Sequence, residues 1–189
     1  MAPSALRSPV PLSVAELSAA ALDGDLQRVS RTAYAPIRLP ASEIVRARAA
    51  REVLTGGLAA VGITAAWIHG VTPHEPDPHH VQRIEDAPAR RHWQAGVVVH
   101  TWPLPRADAL EIAGTHVATL ERTFYDLARA AFTGGADAAH RDAIGWFARH
   151  SELHPRLIEW LNRGRRLRYT KRAAQLLEPG QDDVTRYTS

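Results

Sequence analysis

The stretch from Gly114 to Arg129, GTHVATLERTFYDLAR, constrains the fold more than any other part of the chain. Gly114 allows a tight turn, Thr119 is a favourable N-cap, and apolar residues follow at helical spacing. Arg122 and Asp126 lie four positions apart, so they can pair on one face of the helix. The stretch therefore predicts a strand–turn–helix junction. A functional interpretation, in which Arg122 contacts an anion or a partner, stays open.

Helical and strand-like segments continue on both sides of this junction. Capping residues and periodicity predict helices over 13–23, 42–55, 58–70, 120–132, 137–150, 155–163 and 166–178. Alternation and β-branched residues predict strands over 26–29, 32–35, 80–84 and 96–102. The short polar link between the last two strands favours a hairpin.

These segments give an α+β chain with a partial winged-helix-like N-terminus, a small β-sheet and a helical C-terminal half. The Pro-containing residues 1–12 are expected to form a flexible lead-in, and 13–40 the partial winged-helix-like segment. Residues 41–178 form the expected core domain, and the polar residues 179–189 a loose tail.

The composition excludes several classes of site. The chain has no cysteine, so disulfides, thiolate catalysis and cysteine-based zinc sites are excluded. No window has the length and apolarity of a membrane span, and the N-terminus lacks the pattern of a secretory signal. We therefore expect a cytoplasmic protein with no membrane partner.

Basic residues concentrate near the C-terminus. The segment from residue 155 to residue 172 contains seven basic residues and one acidic residue, so it carries a charge of +6 in a chain of net charge +3. This run is the best electrostatic candidate for a nucleic-acid or acidic-partner surface, and the alternative is a solvated helix face. The seven basic residues are Arg156, Arg163, Arg165, Arg166, Arg168, Lys171 and Arg172.

Six of the ten histidines lie between residues 69 and 100, and HEPDPHH (74–80) invites a metal interpretation. The spacing matches no helical ligand pair, and four prolines between residues 73 and 88 stiffen this loop, so we expect surface histidines and no metal. Nucleophile-elbow, phosphate-loop and dinucleotide motifs are absent from the sequence. No catalytic residue and no cofactor are therefore expected.

The segment GVVVHTWPLPRADALEIAGTHVATLERTFYDLARA resembles the core of the AbiEi-type antitoxins of type IV toxin–antitoxin systems. The matching positions are Val99, His100, Leu104, Pro105, Gly114, Val117, Thr119, Arg122, Thr123, Asp126, Leu127 and Ala128. ITAAWIHGV is similar to a helix of that family, and LQRVSRTAYAPI to its wing. The sequence departs from the family pattern at His69, where tryptophan is usual, and at Ala118, where a second threonine is frequent.

The resemblance implies a winged helix that binds promoter DNA and a C-terminal part that counteracts a nucleotidyltransferase toxin. Promoter DNA and such a toxin system are therefore the expected partners, with Arg28 and Arg31 of the wing as further phosphate contacts. The helix at 13–23 carries acids and no base, so we do not expect it to enter a DNA groove.

Two alternatives remain open. The chain could be a diverged relative that serves as a protein-interaction module without DNA binding. It could also be a histidine-dependent hydrolase or nuclease that uses His100 or the 74–80 cluster. The principal hypothesis is an antitoxin or transcriptional regulator that acts by binding and not by catalysis.

Overall fold

The computed structural model describes residues 13–31, 33–38, 40–54, 57–87, 95–163 and 167–178. Within these ranges the α-helices are α1 (Val14–Leu22), α2 (Glu43–Ala49), α3 (Gly62–Ile68), α4 (Leu120–Phe132), α5 (Ala138–Arg149), α6 (His154–Asn162) and α7 (Thr170–Gln175). The strands are β1 (Leu26–Arg28), β2 (Tyr34–Pro36), β3 (Leu58–Ala60), β4 (His79–Ile84), β5 (Val97–Leu104), β6 (Ala109–Ile112) and β7 (Thr115–Ala118).

The chain is α+β, as the sequence predicted. Three predicted features lie outside the described residues: the lead-in 1–12, the tail 179–189, and the pair Arg165 and Arg166. Among the described residues, no helix has the length and apolarity needed to cross a bilayer.

The N-terminal segment holds one helix and one hairpin. At the start of α1, Ser13 and Glu16 form a capping box, in which the Ser13 amide donates to Glu16 Oε2 at 2.7 Å. Strands β1 and β2 pair in antiparallel fashion, with Gln27 opposite Ala35. The segment predicted to be winged-helix-like thus contains one helix followed by a two-stranded antiparallel hairpin.

A five-stranded mixed sheet forms the centre of the molecule, in the order β5-β4-β3-β7-β6. Strands β4 and β5 are parallel, with Val81 opposite Val99, so the hairpin predicted for them is wrong. The connection of a dozen residues, 85–96, has the length of a crossover, whereas hairpin loops have two to five residues.

The helix predicted over 58–70 is also corrected. Its first residues form β3, which pairs with β4 on one side and with β7 on the other, and α3 begins only at Gly62. Leu58, Ala59 and Ala60 are all buried. Small side chains let neighbouring strands and helices approach this central strand, and pairing on both edges overrides the helical propensity of alanine.

Helix α4 spans the predicted range, and the Thr119 side chain caps it by accepting from the Arg122 amide at 3.3 Å. Phe124 and Leu127 are fully buried in a core formed by α3 to α7, whereas Ala131 near the end of the helix is exposed. A second core lies between the sheet, α2 and α3. Helix α4 therefore joins the helical half to the sheet.

The remaining helices are close to their predicted positions but differ at their ends. Helix α2 ends at Ala49 and continues as a 3-10 turn to Glu52, short of the predicted Thr55. Helix α7 begins at Thr170, after Tyr169 adopts a left-handed conformation with φ 67°. A residue in that conformation cannot continue a right-handed helix, so the predicted 166–178 helix is shorter.

Candidate functional site

One face of α4 meets one face of the sheet. Arg122, Asp126 and Arg129 follow each other at four and three positions, so they share a face of the helix. On the sheet, Gln82 of β4 lies opposite His100 of β5, so both side chains point to the same side. Two adjoining depressions form between these faces, and Arg129 lines both.

The first depression, here called the histidine cavity, has a volume of about 290 Å³. Strands β4 and β5, helix α4 and helix α5 supply its polar wall. The polar side chains of this wall are His80, Gln82, His100, Asp126, Arg129, Thr133 and His140.

The histidines of the cavity contact one another. His80 Nδ1 and His100 Nε2 lie 3.3 Å apart, and the ring centroids of His80 and His140 are separated by 6.0 Å. Asp137, the N-cap of α5, holds His140 through a 2.7 Å contact between Oδ1 and Nδ1. Each imidazole is thus fixed by a neighbour rather than by bulk water.

Burial sets the charge of these rings. Burial, with smaller effects from His100 and His140, lowers the pKa of His80 to about 4. Burial, together with the charge of Arg129, lowers the pKa of His100 as well. Both rings are therefore neutral at physiological pH, and each offers one N–H donor and one acceptor nitrogen.

Asp126 has an unsatisfied oxygen. Its Oδ1 accepts from Arg122 Nε at 3.0 Å, whereas its buried Oδ2 has no hydrogen-bond partner among the described residues. Burial raises the pKa of Asp126, and the charge of Arg122 opposes that effect. Buried polar atoms without partners are rare in folded proteins, so this oxygen requires an explanation.

Arg122 connects the helix to the sheet and to α6. Its guanidinium lies 3.4 Å from both Asp108 Oδ2 and Gln82 Oε1, in addition to its bond with Asp126. Trp160 Nε1 donates to the other oxygen of Asp108 at 3.2 Å. Arg122 is only 5% exposed, so these contacts lie in the interior at the junction of α4, the sheet and α6.

The second depression, here called the arginine–aromatic groove, has a volume of about 520 Å³. It runs between β5, α4 and residues 167–168 of the C-terminal basic run. Its lining residues are Trp102, Pro103, Pro105, Arg122, Tyr125, Arg129, Leu167 and Arg168. The Arg129 guanidinium carbon lies 4.9 Å from the centre of the Trp102 ring, and Trp102 is 53% exposed.

The predicted basic surface is only partly available. Arg156 pairs with Glu121, and Arg163 pairs with Glu159 at 3.2 Å. Arg172 places its guanidinium carbon 4.4 Å from the centre of the Phe132 ring, while Lys171 is exposed. Of the described basic residues in this run, Arg168 is the one that lines the groove.

The wing arginines contact nearby backbone and acids. Arg28 Nε donates to the Ser30 carbonyl at 3.1 Å. Arg31 pairs with both Glu75 and Asp77 of the Pro-rich loop. These pairs reduce the positive potential of the wing, which weakens the prediction that it contacts phosphate.

The HEPDPHH segment has a structural role. Glu75 Oε1 lies 3.1 Å from Nε2 of the buried His79, and the same residue contacts Arg31. Across the described parts of the chain, no group of three or more histidine or acidic side chains is arranged to hold a metal ion.

Trp102, Arg129 and His140 were missed as site residues from the sequence alone. Arg129 follows Arg122 at seven positions, and Trp102 follows His100 at two, so each shares a face with a residue already noted. His140 lies 40 residues from His100 in the chain and gave no signal. Only the tertiary fold brings α5 against β4.

Comparison with known proteins gives no independent identification. No protein-family model matches this chain, and no curated protein matches it.

Proposed function

We propose that this protein is an AbiEi-like antitoxin or transcriptional regulator that binds nucleic acid through the arginine–aromatic groove. The observation that carries the proposal is the Arg129 guanidinium, 4.9 Å from the centre of the exposed Trp102 ring, in a groove that the exposed Arg168 also lines. Cationic side chains attract the phosphate backbone, and an exposed aromatic ring stacks on unpaired bases.

The groove favours a strand with unpaired bases over an intact duplex. In a duplex the bases already stack on one another, so an indole beside the strand gains little. Helix α1, which the resemblance assigns to the DNA groove, bears acids at Glu16 and at its end at Asp23. The proposed contact surface therefore lies on β5, α4 and residue 168, and not on the N-terminal segment that the resemblance implies.

Action by binding, not by catalysis, is the second part of the proposal. A general base works best when its pKa lies near the working pH. The pKa of His80 is about 4, and that of His100 is also lowered, so neither ring is a strong base at neutral pH. This supports a binding role for the cavity over the histidine-dependent hydrolase alternative.

Fluorescence anisotropy tests the proposal. The labelled probes are the gene's own upstream DNA, as a duplex and as its two separate strands, and random sequences of equal length, each over a salt series. We expect tighter binding to single strands, with affinity falling steeply as salt rises. Equal, salt-insensitive and weak binding to every probe would contradict the proposal.

Arg168→Glu is the informative variant, and Arg48→Glu is its matched control. Both side chains are exposed and both changes reverse one charge, but Arg48 lies on α2 and Arg168 lines the groove. We expect Arg168→Glu to weaken binding about tenfold or more at low salt and Arg48→Glu to have a much smaller effect.

The antitoxin role has a separate test. In this proposal the protein works in the cytoplasm and counteracts a nucleotidyltransferase toxin encoded beside its gene. Co-expression of the neighbouring gene product with the wild-type chain or with Arg168→Glu compares their ability to restore growth. If the wild type restores growth and Arg168→Glu does not, the groove takes part in neutralisation of the toxin. If expression of the neighbouring gene product alone does not inhibit growth, that product is not a toxin and this role is excluded.

The protein-interaction alternative is supported by one observation. Strand β5 is an edge of the sheet, and Val98, Val99 and Trp102 on it are 38%, 41% and 53% exposed. An exposed apolar edge strand can pair with a strand of another chain. Failure of every nucleic-acid probe, with a change of oligomeric state when β5 is altered, would favour this alternative.

A further inference from the structure

The unsatisfied Oδ2 of Asp126 is the starting observation. A buried acceptor without a hydrogen bond carries an uncompensated desolvation cost, which is larger when the acceptor is charged. Asp126 lines the histidine cavity, and rotation of its carboxylate about the Cβ–Cγ bond would present this buried oxygen to a hydrogen-bond donor held there. Arg122 does not satisfy it, because its Nε binds Oδ1 and its two terminal nitrogens lie near Asp108 and Gln82.

The shape and lining of the cavity restrict the ligand. A volume of about 290 Å³ lies at the lower end of small-molecule sites, which suits a single ring system. The imidazoles of His80, His100 and His140 present flat faces and polar edges, and Gln82 adds an amide. A planar heteroaromatic group with hydrogen-bonding edges matches these walls.

The position of the cavity beside the groove indicates where such a group would come from. Arg129 lines both depressions and stacks on Trp102 in the groove. A strand whose phosphates follow Arg129 and Arg168 would pass the mouth of the cavity with one base next to it. Proteins that read single strands commonly separate individual bases and bind their edges.

We propose that the histidine cavity holds one base of the bound single strand, and that this base is guanine, with its N–H edge facing Asp126. This inference rests on the proposed function and names the ligand of the same site. On the Watson–Crick edge, guanine alone presents two adjacent N–H donors. Adenine and cytosine place a ring-nitrogen acceptor beside their donor, and uracil and thymine flank their donor with carbonyls, so each would set an acceptor near the carboxylate.

Single-position substitution in one oligonucleotide tests the inference. The probes are labelled single strands of eight nucleotides that differ only at one central position, which carries guanine, inosine, adenine or no base. Binding is measured by anisotropy in the presence of EDTA. We expect guanine to bind about tenfold tighter than the abasic strand, and inosine, which lacks the 2-amino group, to fall between them.

Ala130→Phe separates the cavity from the groove. Ala130 lines the cavity on α4 and is only half-buried, so the larger ring fills the space without removing a polar contact. We expect this variant to bind guanine-containing and abasic strands equally, with the salt dependence of the wild type. Its thermal unfolding is compared with that of the wild type to confirm that it is folded.

Asp126→Asn provides a second variant in case Ala130→Phe does not fold. The asparagine oxygen can still accept from Arg122, while its amide nitrogen replaces Oδ2 and offers a donor. The preference should then move from guanine toward adenine. Retention of the guanine preference would show that Asp126 does not read the base.

Each failure has a distinct pattern. Wild-type protein that binds guanine and abasic strands equally, with steep salt dependence, would overturn the inference and leave the groove intact. No binding to any strand would overturn the proposed function itself. A guanine preference that appears only when EDTA is replaced by Zn²⁺ would assign the cavity to a metal ion and overturn the base-binding inference.

Discussion

Nε of Arg122 donates to Oδ1 of Asp126 over 3.0 Å, one turn further along α4. The same guanidinium lies 3.4 Å from Asp108, before β6, and 3.4 Å from Gln82 on β4. One buried cation thus contacts two buried carboxylates and an amide from three different parts of the chain. The pair that the sequence predicted within one helix also attaches that helix to the sheet.

Replacement of Arg122 by methionine should destabilise the protein strongly. The apolar side chain fills similar space but leaves the carboxylates of Asp108 and Asp126 without their buried cation, which costs about 3–5 kcal/mol. Urea denaturation measures the free energy of unfolding. The exposed Arg141→Met on α5 is the control and should change it by about 0.5 kcal/mol or less. A loss of under about 1 kcal/mol in Arg122→Met would contradict the bridging role.

Local signals explain which parts of the fold were predicted correctly. The Thr119 cap, the periodicity after it and the Arg122–Asp126 spacing involve residues within one or two turns, and α4 has its predicted bounds. Strand β3 was missed because its three residues, LAA, favour a helix in isolation. Its conformation depends on β4 and β7, which are distant in sequence.

The site was less predictable than the fold. His100 was noted from the sequence, but its contact with His80 depends on the parallel pairing of β4 and β5, for which a hairpin was predicted. The net charge of the C-terminal run predicted a basic surface, yet Arg156 pairs with Glu121, an acid 35 residues earlier. Charge counted along the chain cannot show which cations meet acids from other elements.

Gly114 should be hard to replace in the β6–β7 turn. Its φ is 78°, and a Cβ built there would lie 2.7 Å from a terminal nitrogen of Arg51. The strain of a side chain in this conformation costs about 1–3 kcal/mol, and the flexible end of Arg51 must also shift, which adds a smaller cost. Gly24→Ala is the matched control, because Gly24 has φ 83° and open space around it. The midpoint temperature of thermal unfolding should be lower for Gly114→Ala than for Gly24→Ala. The reverse order would contradict the contact with Arg51.

Stability should fall as the pH drops from about 6.5 toward 4. The pKa of His80 is lowered from 6.5 to about 4, so the folded state resists protonation more than the unfolded state does. The stabilisation is therefore complete above pH 6.5 and is lost as the pH falls through the folded pKa. After allowance for solvent screening, His80 contributes about 1–2 kcal/mol.

Neighbouring groups modify this pH dependence. The charged and titratable groups that act on His80 are His100, His140, Asp137 and His79. Lowered pKa values of His79 and His100 act in the same direction, whereas the raised pKa of Asp126 acts in the opposite one. Urea denaturation at several pH values gives the free energy of unfolding as a function of pH. This free energy should change less steeply with pH in His80→Gln than in the wild type. The exposed His74→Gln controls for loss of an imidazole, and equal slopes in wild type and His80→Gln would contradict the prediction.

The edge strand β5 should promote self-association. Val99 is 41% exposed on this strand, whose described pairing is with β4 alone. A lysine at an exposed edge position opposes strand pairing between molecules. Val99→Lys should therefore reduce light scattering at high protein concentration and change the free energy of unfolding by less than about 0.5 kcal/mol. Unchanged scattering with unchanged stability would show that β5 is not the associating surface.

Trp102 and Arg168 should affect strand binding in different ways. Trp102→Ala removes the stacking surface but leaves every charge, so affinity should fall by about 1–3 kcal/mol while the slope of log affinity against log salt stays constant. Arg168→Glu alters the charge of the groove, so the same plot should become less steep, by about 1 or more in the magnitude of its slope. Anisotropy titrations of one single-stranded probe over a salt series measure both quantities. If the two variants lost affinity with the same change in slope, the indole would act through the position of Arg129, which lies 4.9 Å from its ring, and not by stacking on a base.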